Sequence, residues 1–455
     1  MIKIEAASRE ELIGIIGEQQ GLIAELQARV VFLERQIAEL EGEPAGAGDD
    51  AVEEPVVRPS RGKQSAGERK PRKRRAQGSA RRRSKPTRRV EHALTACRRC
   101  GCELRGGSVK RVREVLHIPL VQAEVIEHAF IERRCPRCGT RQTPGAEVLA
   151  GEVLGQHRVS LQTMAMIATL REEGRLPVGI IQWMLQAFYG LELSVGELIA
   201  ILHDVAQRGH EAVAQLRATL RSSPVVHADE TTWREDGQNG YFWSFSTSEV
   251  CYMEYRSSRS GQMVDDVLGC PFHGTLVSDF YGGYNRHEGV HQRCWAHLLR
   301  DVHALKEAYP EHEEVQVWVK AIHTLYQEAC RCREKLRDQP WGMRYEAMRR
   351  FQSQIMELCQ PFLDQEVPQR VLCQRIQRFL EQLFTFVVDP RVPPDNNAAE
   401  RAVRPVAVCR KISGGTRSER GSETKGILAS LFGTWRLQAL NPFLACRQLL
   451  AAPQI

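Results

Sequence analysis

Between residues 223 and 297 the chain is built from short apolar runs, and two of them close on a carboxylate. Residues 224–231 are apolar up to Asp229 and Glu230, and residues 274–280 are apolar up to Asp279. Residues 241–247 and 250–256 alternate with period two, as paired strands do, and residues 260–268 carry helical spacing. Residues 292–297 are expected as one more strand. Few folds accept a β-β-β-α-β order that delivers acidic side chains to strand ends, so this stretch constrains the rest of the chain.

That order describes an α/β, ribonuclease-H-like core. A third acidic residue, Glu400, follows far downstream in the run Asp395-Asn396-Asn397-Ala398-Ala399-Glu400. The chain between Asp279 and Glu400 is much longer than a compact core needs. Residues 298–390 are helical in pattern (Leu298, Leu299, Val302 and Leu305; Ile376, Phe379, Leu380 and Leu383). They are expected as an all-α insertion, which divides the core into residues 223–297 and 391–455.

Four motifs make the chain resemble the DDE transposases of insertion-sequence family 66. They are His227-Ala228-Asp229-Glu230-Thr231, Ser278-Asp279-Phe280-Tyr281-Gly282-Gly283-Tyr284, Cys294-Trp295-Ala296-His297, and the run from Asp395 to Pro405. The resemblance extends over nearly the whole chain and is loosest at residues 232–240 and after Gly421. It implies that Asp229, Asp279 and Glu400 are the catalytic carboxylates. Hard oxygen ligands of this kind hold two Mg2+ (or Mn2+) ions for phosphoryl transfer on DNA. Each residue also has a plain structural reading. Asp229 and Asp279 are ordinary strand-end turn residues, and Glu400 sits where it would close a capping box with Asn397. The resemblance further implies small accessory proteins encoded alongside. Two alternatives stand beside a transposase: a ribonuclease-H-like structure-specific nuclease, and a non-catalytic DNA-binding regulator.

Upstream of the core the charge is segregated. Residues 1–57 hold 4 basic and 13 acidic residues, and residues 58–89 hold 15 basic and 1 acidic. Residues 8–43 carry a heptad pattern, with Ile16, Ile23, Val30 and Ile37 at one seam position and mostly leucine three places on. Branched residues at a and leucine at d favour a two-stranded parallel coiled coil, so residues 1–43 are expected to form a homodimer or higher oligomer. Residues 44–92 are too polar and too rich in Pro, Gly and Ser to build a core, and read as a disordered linker. Arg72, Lys73, Arg74, Arg75, Arg81, Arg82 and Arg83 within it suit contact with DNA phosphates. In the core, Arg401, Arg404, Arg410 and Lys411 are candidates for the same task, followed by Arg417, Arg420 and Lys425.

Fourteen cysteines are unevenly spread, five of them between Cys97 and Cys138. Cys97-x-x-Cys100 and Cys135-x-x-Cys138 are each followed by glycine, the pattern of a zinc knuckle. Four thiolates make a closed structural Zn2+ site. With an alternating run at residues 125–131, residues 93–150 are expected as a zinc-binding β-ribbon domain. Residues 151–222 read as a helical domain with helix-turn-helix character, open to two readings, DNA contact and plain core packing, in which Ser194 to Glu197 resembles a capping box. The chain starts without a basic-then-apolar signal region and lacks any apolar run of about eighteen residues. A cytoplasmic, nucleoid-associated bacterial protein without a membrane contact is therefore expected.

Overall fold

A computed structural model describes residues 85–119 and 121–453. The expected coiled coil and the basic cluster Arg72–Arg83 lie outside the described residues. The chain divides into two units, Met1–Val115 and Leu116–Ile455.

In the first unit, the Cys97–Cys100 pair forms a tight turn. The Gly101 N–H donates to the Cys97 carbonyl (2.8 Å) and the Cys97 N–H to the Cys102 carbonyl (2.8 Å). Gly101 has φ +75°, a left-handed conformation that glycine adopts without steric cost.

The second unit opens with a matching turn at Cys135–Cys138, closed by Gly139 N–H to the Cys135 carbonyl (2.9 Å). Two short antiparallel strands flank it, β1 (Arg133–Arg134) and β2 (Arg141–Gln142). The strand expected over residues 125–131 is absent among the described residues. That segment has no regular secondary structure and no ladder partner, and Val125 is 95% exposed. Alternation alone does not make a strand, because a strand also needs a neighbour to take its backbone hydrogen bonds.

Three helices follow: α1 (Leu161–Glu172), α2 (Val178–Tyr189) and α3 (Val195–Ser222). Helix α2 stops at Gly190, at φ 64°, and α3 starts on a capping box. The Ser194 hydroxyl accepts from the Glu197 N–H, while the Glu197 carboxylate accepts from the Ser194 N–H. This is the pairing expected from the sequence.

The sheet comprises β3 (Val225–Glu235), β4 (Gln238–Ser246), β5 (Cys251–Arg256), β6 (Thr275–Ser278) and β7 (Val290–Arg293), with helix α4 (Gln262–Leu268) between β5 and β6. Its order is β5-β4-β3-β6-β7. The pairs β3–β4 and β4–β5 are antiparallel, and β3–β6 and β6–β7 are parallel. Two strand expectations need correction. β3 does not end at its carboxylates, because β4 continues to pair with it as far as Glu235. The strand placed at residues 292–297 lies earlier. The chain turns at Cys294, whose N–H bonds the Ser278 carbonyl (2.9 Å), and a helix begins at Trp295.

The long segment after β7 is helical, as expected: α5 (Trp295–Ala308), α6 (Glu313–Lys335), α7 (Trp341–Cys359), α8 (Arg370–Arg378), α9 (Leu380–Leu383) and α10 (Thr385–Val388). It buries a core of its own, including Trp318, Ile322, Phe351, Ile355, Ile376 and Phe384, which meets the sheet through Val277 and Trp295. The neighbouring β6 residue, Leu276, points the other way, into a core shared with α1, α3, α4 and the C-terminal helices. This is the alternation of a strand covered on both faces.

The last helices are α11 (Asn397–Ser413), α12 (Glu419–Leu437) and α13 (Pro442–Ala451). The turn between α11 and α12 is pinned to the far end of β3. The Thr416 N–H donates to the Arg234 carbonyl and the Asp236 N–H to the Thr416 carbonyl, both at 2.9 Å. A Cβ on Gly415 would lie 2.1 Å from the Arg234 carbonyl oxygen, so this approach of two backbones requires glycine.

Candidate active site

The parallel pairing of β3 with β6 runs from Val225↔Thr275 to His227↔Val277 and then stops. Two residues further along each chain stand Asp229 and Asp279, which places them level with each other where the strands part. Glu400 arrives from a different direction, in the first turn of α11.

Asn396, 1% exposed, fixes where that helix starts. Its side-chain amide donates to the Ala228 carbonyl (2.7 Å), and its amide oxygen pairs with His227 Nδ1 (3.0 Å). Its backbone N–H donates to Cys294 Sγ (3.1 Å). One residue thus joins α11, β3 and the start of α5 beside Asp229. The capping-box reading of Glu400 is corrected by the same contacts. The helix N-cap is Asn396 rather than Asn397, and its side chain is engaged with β3 instead of the helix.

The electrostatics follow from the crowding of acids. Burial first, then the charges of Glu230, Asp279 and Glu400, raise Asp229 to about 7, against one opposing hydrogen bond from the Glu230 N–H (2.9 Å). Asp279 Oδ1 accepts from the Tyr281 N–H (2.9 Å). Glu400 Oε1 faces His297 Nε2 at 3.7 Å, too long for a hydrogen bond, and is buried without another partner among the described residues. Hard carboxylate oxygens around Asp229, whose proton affinity its neighbours raise, together with an orphaned oxygen on Glu400, fit a divalent cation. Among the described residues, no three His, Cys, Asp or Glu side chains are drawn to ion-ligating distance of one another.

Glu230, next to Asp229, is already committed. Its side chain is 2% exposed and pairs with Arg259 (2.5 Å), and the Tyr284 hydroxyl donates to its other oxygen. Arg259 in turn stacks on Tyr281 at 3.7 Å from the ring centroid. Burial raises the Glu230 carboxyl and these partners oppose the rise. Of this adjacent pair, Asp229 is the one that no basic side chain pairs with among the described residues.

Behind Asp279 lies a fully buried guanidinium that the sequence reading missed. Arg293 donates to the Asp279 carbonyl (2.8 Å), Ser278 Oγ (3.0 Å), Asn285 Oδ1 (2.7 Å) and Gln382 Oε1 (2.7 Å). Burial depresses its pKa to about 10, and the Asp279 charge opposes that. Its signal was an arginine closing an otherwise buried strand. Asn396 was visible within its motif, but only the fold shows what it ties together.

The candidate phosphate contacts separate into groups. Arg401, Arg404 and Lys411 are exposed on α11. Arg410 is bound to β3, donating to the Thr232 carbonyl (2.7 Å) and the Thr231 hydroxyl (3.2 Å). Lys425 is withdrawn altogether. It is 5% exposed and ion-paired with Glu172 at 2.6 Å, so its expected phosphate role is corrected to a structural one. In the two knuckles, backbone N–H groups of Arg99 and Cys100 lower the Cys97 thiol. The Thr140 hydroxyl and N–H lower Cys138 to about 7. Both effects favour the thiolate that a metal takes.

Fold and site define a class: an α/β protein with three neighbouring acids where two central parallel strands of a mixed sheet part, the third brought in by a helix beyond a long helical insertion. Residues 156–424, more than half of the chain, match the sequence model of the transposase IS66 family, and the chain belongs to that family. Two curated relatives come from Sinorhizobium fredii (strain NBRC 101917 / NGR234). The uncharacterized protein y4jD is 25% identical over 291 residues, 56% of this chain and 55% of that protein. The uncharacterized protein y4jO is 26% identical over 166 residues, 36% of this chain and 49% of that protein. The chain thus spans about half the length of the curated relatives it matches.

Proposed function

We propose that this chain is a DNA transposase that cuts at the ends of an insertion sequence and transfers the strand into target DNA, with Asp229, Asp279 and Glu400 as its catalytic carboxylates. The observation that carries the reading is the β3–β6 register, which sets Asp229 level with Asp279. The sheet order, with three antiparallel strands followed by two parallel ones, supports a ribonuclease-H-like core. Asp229, Asp279 and Glu400 would hold two Mg2+ (or Mn2+) ions, which supply Lewis-acid activation of the attacking oxygen and stabilise the leaving 3′-oxygen. Asn396 and Arg293 keep two of the carboxylates in place, the first through the start of α11 and the second through the Asp279 backbone. Arg401 and Arg404, exposed on the helix that carries Glu400, would take phosphates next to the cleaved bond.

The remainder of the chain is read around this centre. Cys97, Cys100, Cys135 and Cys138 are proposed as ligands of a structural Zn2+, on the sequence spacing and on each knuckle taken by itself. The heptads of residues 8–43 are proposed as a dimerisation helix and Arg72–Arg83 as a DNA-capturing arm. No helix among the described residues is long and apolar enough to cross a membrane.

The test is a single-alanine series at Asp229, Asp279 and Glu400, assayed for Mg2+-dependent cleavage and strand transfer on paired DNA ends from the repeats flanking the gene. Each variant is expected to lose at least about a hundredfold in rate while still binding DNA. Near-normal activity in Glu400→Ala would sink the assignment.

A further inference from the structure

A cavity of about 500 Å³ opens beside the acidic cluster, between the loop after β6 and helix α8. Its walls include Phe280, Asn285, Gln374, Arg375, Arg378 and Phe379. Phe280 and Phe379 meet edge to face with ring centroids 5.4 Å apart. The Arg375 guanidinium lies 5.5 Å from the Phe280 ring centroid and that of Arg378 lies 5.3 Å from the Phe379 centroid. Arg375 shares its charge with Asp301 (2.5 Å), while Arg378 is exposed.

We propose that this cavity receives one unstacked nucleotide of the DNA strand next to the scissile phosphate. The inference rests on the transposase reading above and adds a substrate subsite to it. Its chemistry is that of a nucleotide. Phenyl rings and guanidinium planes stack on a base, and Arg378 at the rim matches a phosphate. Asn285 Oδ1 is taken by Arg293 and Gln374 Nε2 by the Leu363 carbonyl, which leaves Asn285 Nδ2 as a donor and Gln374 Oε1 as an acceptor for a base edge. A cavity of this size is in the range of small-ligand sites and far too small for a duplex, so a nucleotide must leave the helix to enter. Unstacking the nucleotide costs free energy, and stacking on the protein returns part of it.

The location is fixed by one side chain. Arg293 donates both to the Asp279 carbonyl (2.8 Å) and to Asn285 Oδ1 (2.7 Å), and its guanidinium also lies over Phe379 at 4.9 Å. Phe280 is the residue after Asp279. The cavity and the carboxylate therefore share one rigid frame, and a nucleotide seated in the first lies beside chemistry at the second.

The test narrows the cavity without changing charge. Gly282 and Val371 both line it and are both exposed. A Cβ at Gly282 meets nothing within 4 Å, so Gly282→Leu together with Val371→Met is expected to fold as the wild type does. The readout is the affinity of the full chain for a single-stranded oligothymidylate relative to an abasic strand of the same length and charge. The wild type should prefer the base-bearing strand by about tenfold, and the narrowed variant should lose most of that preference. A variant that keeps the wild-type ratio, or a wild type with no preference, overturns the proposal. Mg2+-dependent cleavage of end DNA by the same wild-type preparation separates the two readings. Cleavage without the preference removes the subsite and leaves the transposase, whereas the preference without cleavage does the reverse.

Discussion

Asn396 joins three elements through one buried amide. Replacing it with alanine strands the Ala228 carbonyl and His227 Nδ1 in the interior. Each stranded group costs about 1–3 kcal/mol, so Asn396→Ala is expected to lose about 2–6 kcal/mol in urea unfolding. Because the amide sets the start of α11, cleavage should fall further than DNA affinity does; an equal fall in both would assign Asn396 to general folding alone. Lys425 raises a different question, because its partner Glu172 is equally buried at 5% exposure and Glu172 Oε1 has no hydrogen bond among the described residues. Lys425→Ala leaves a lone buried carboxylate and should cost about 3–5 kcal/mol. Exchanging both residues for methionine removes the two desolvated charges together. That double variant should recover most of the loss, and a double variant as unstable as Lys425→Ala would show that the pair contributes more than its own neutralisation.

At the scale of elements, local chemistry carried far. The capping box at Ser194 was legible because it depends on residues three apart, and so was the helical segment between Asp279 and Glu400. Ser194→Ala removes the acceptor for the Glu197 N–H and should lower stability by about 1 kcal/mol, seen as a lower urea midpoint with unchanged helicity at zero denaturant. What stayed hidden depends on partners distant in sequence. The continuation of β3 past Asp229 is decided by β4. The failure of residues 125–131 to form a strand is decided by the lack of a neighbour. Lys425 looked like one more phosphate ligand in a basic run until α1 placed Glu172 against it. The three acids could be named from their motifs, but Arg293 and Asn396, which hold two of them, could not be given roles before the sheet order was known.

Across the whole molecule, charge is sorted along the chain rather than spread. The net charge of +7 conceals a segment at residues 58–89 with 15 basic residues and 1 acidic. Residues 1–57, with 4 basic and 13 acidic residues, offset much of it, and residues 90–455 carry a net charge of only +2. If the basic segment captures DNA by displacing counterions, its contribution must appear in the salt dependence of binding as well as in affinity. Each phosphate neutralised contributes about −0.9 to the slope of log K against log salt on duplex DNA. Deleting residues 58–89 should therefore flatten that slope by several units and weaken binding most at low salt. Arg401→Ala with Arg404→Ala should flatten it by no more than about two, because only two charges are removed. Should the deletion weaken binding with the slope unchanged, the segment acts as a spacer and the electrostatics of DNA capture belong to the core. A flattened slope with cleavage at saturating DNA preserved would separate capture from chemistry along the same chain.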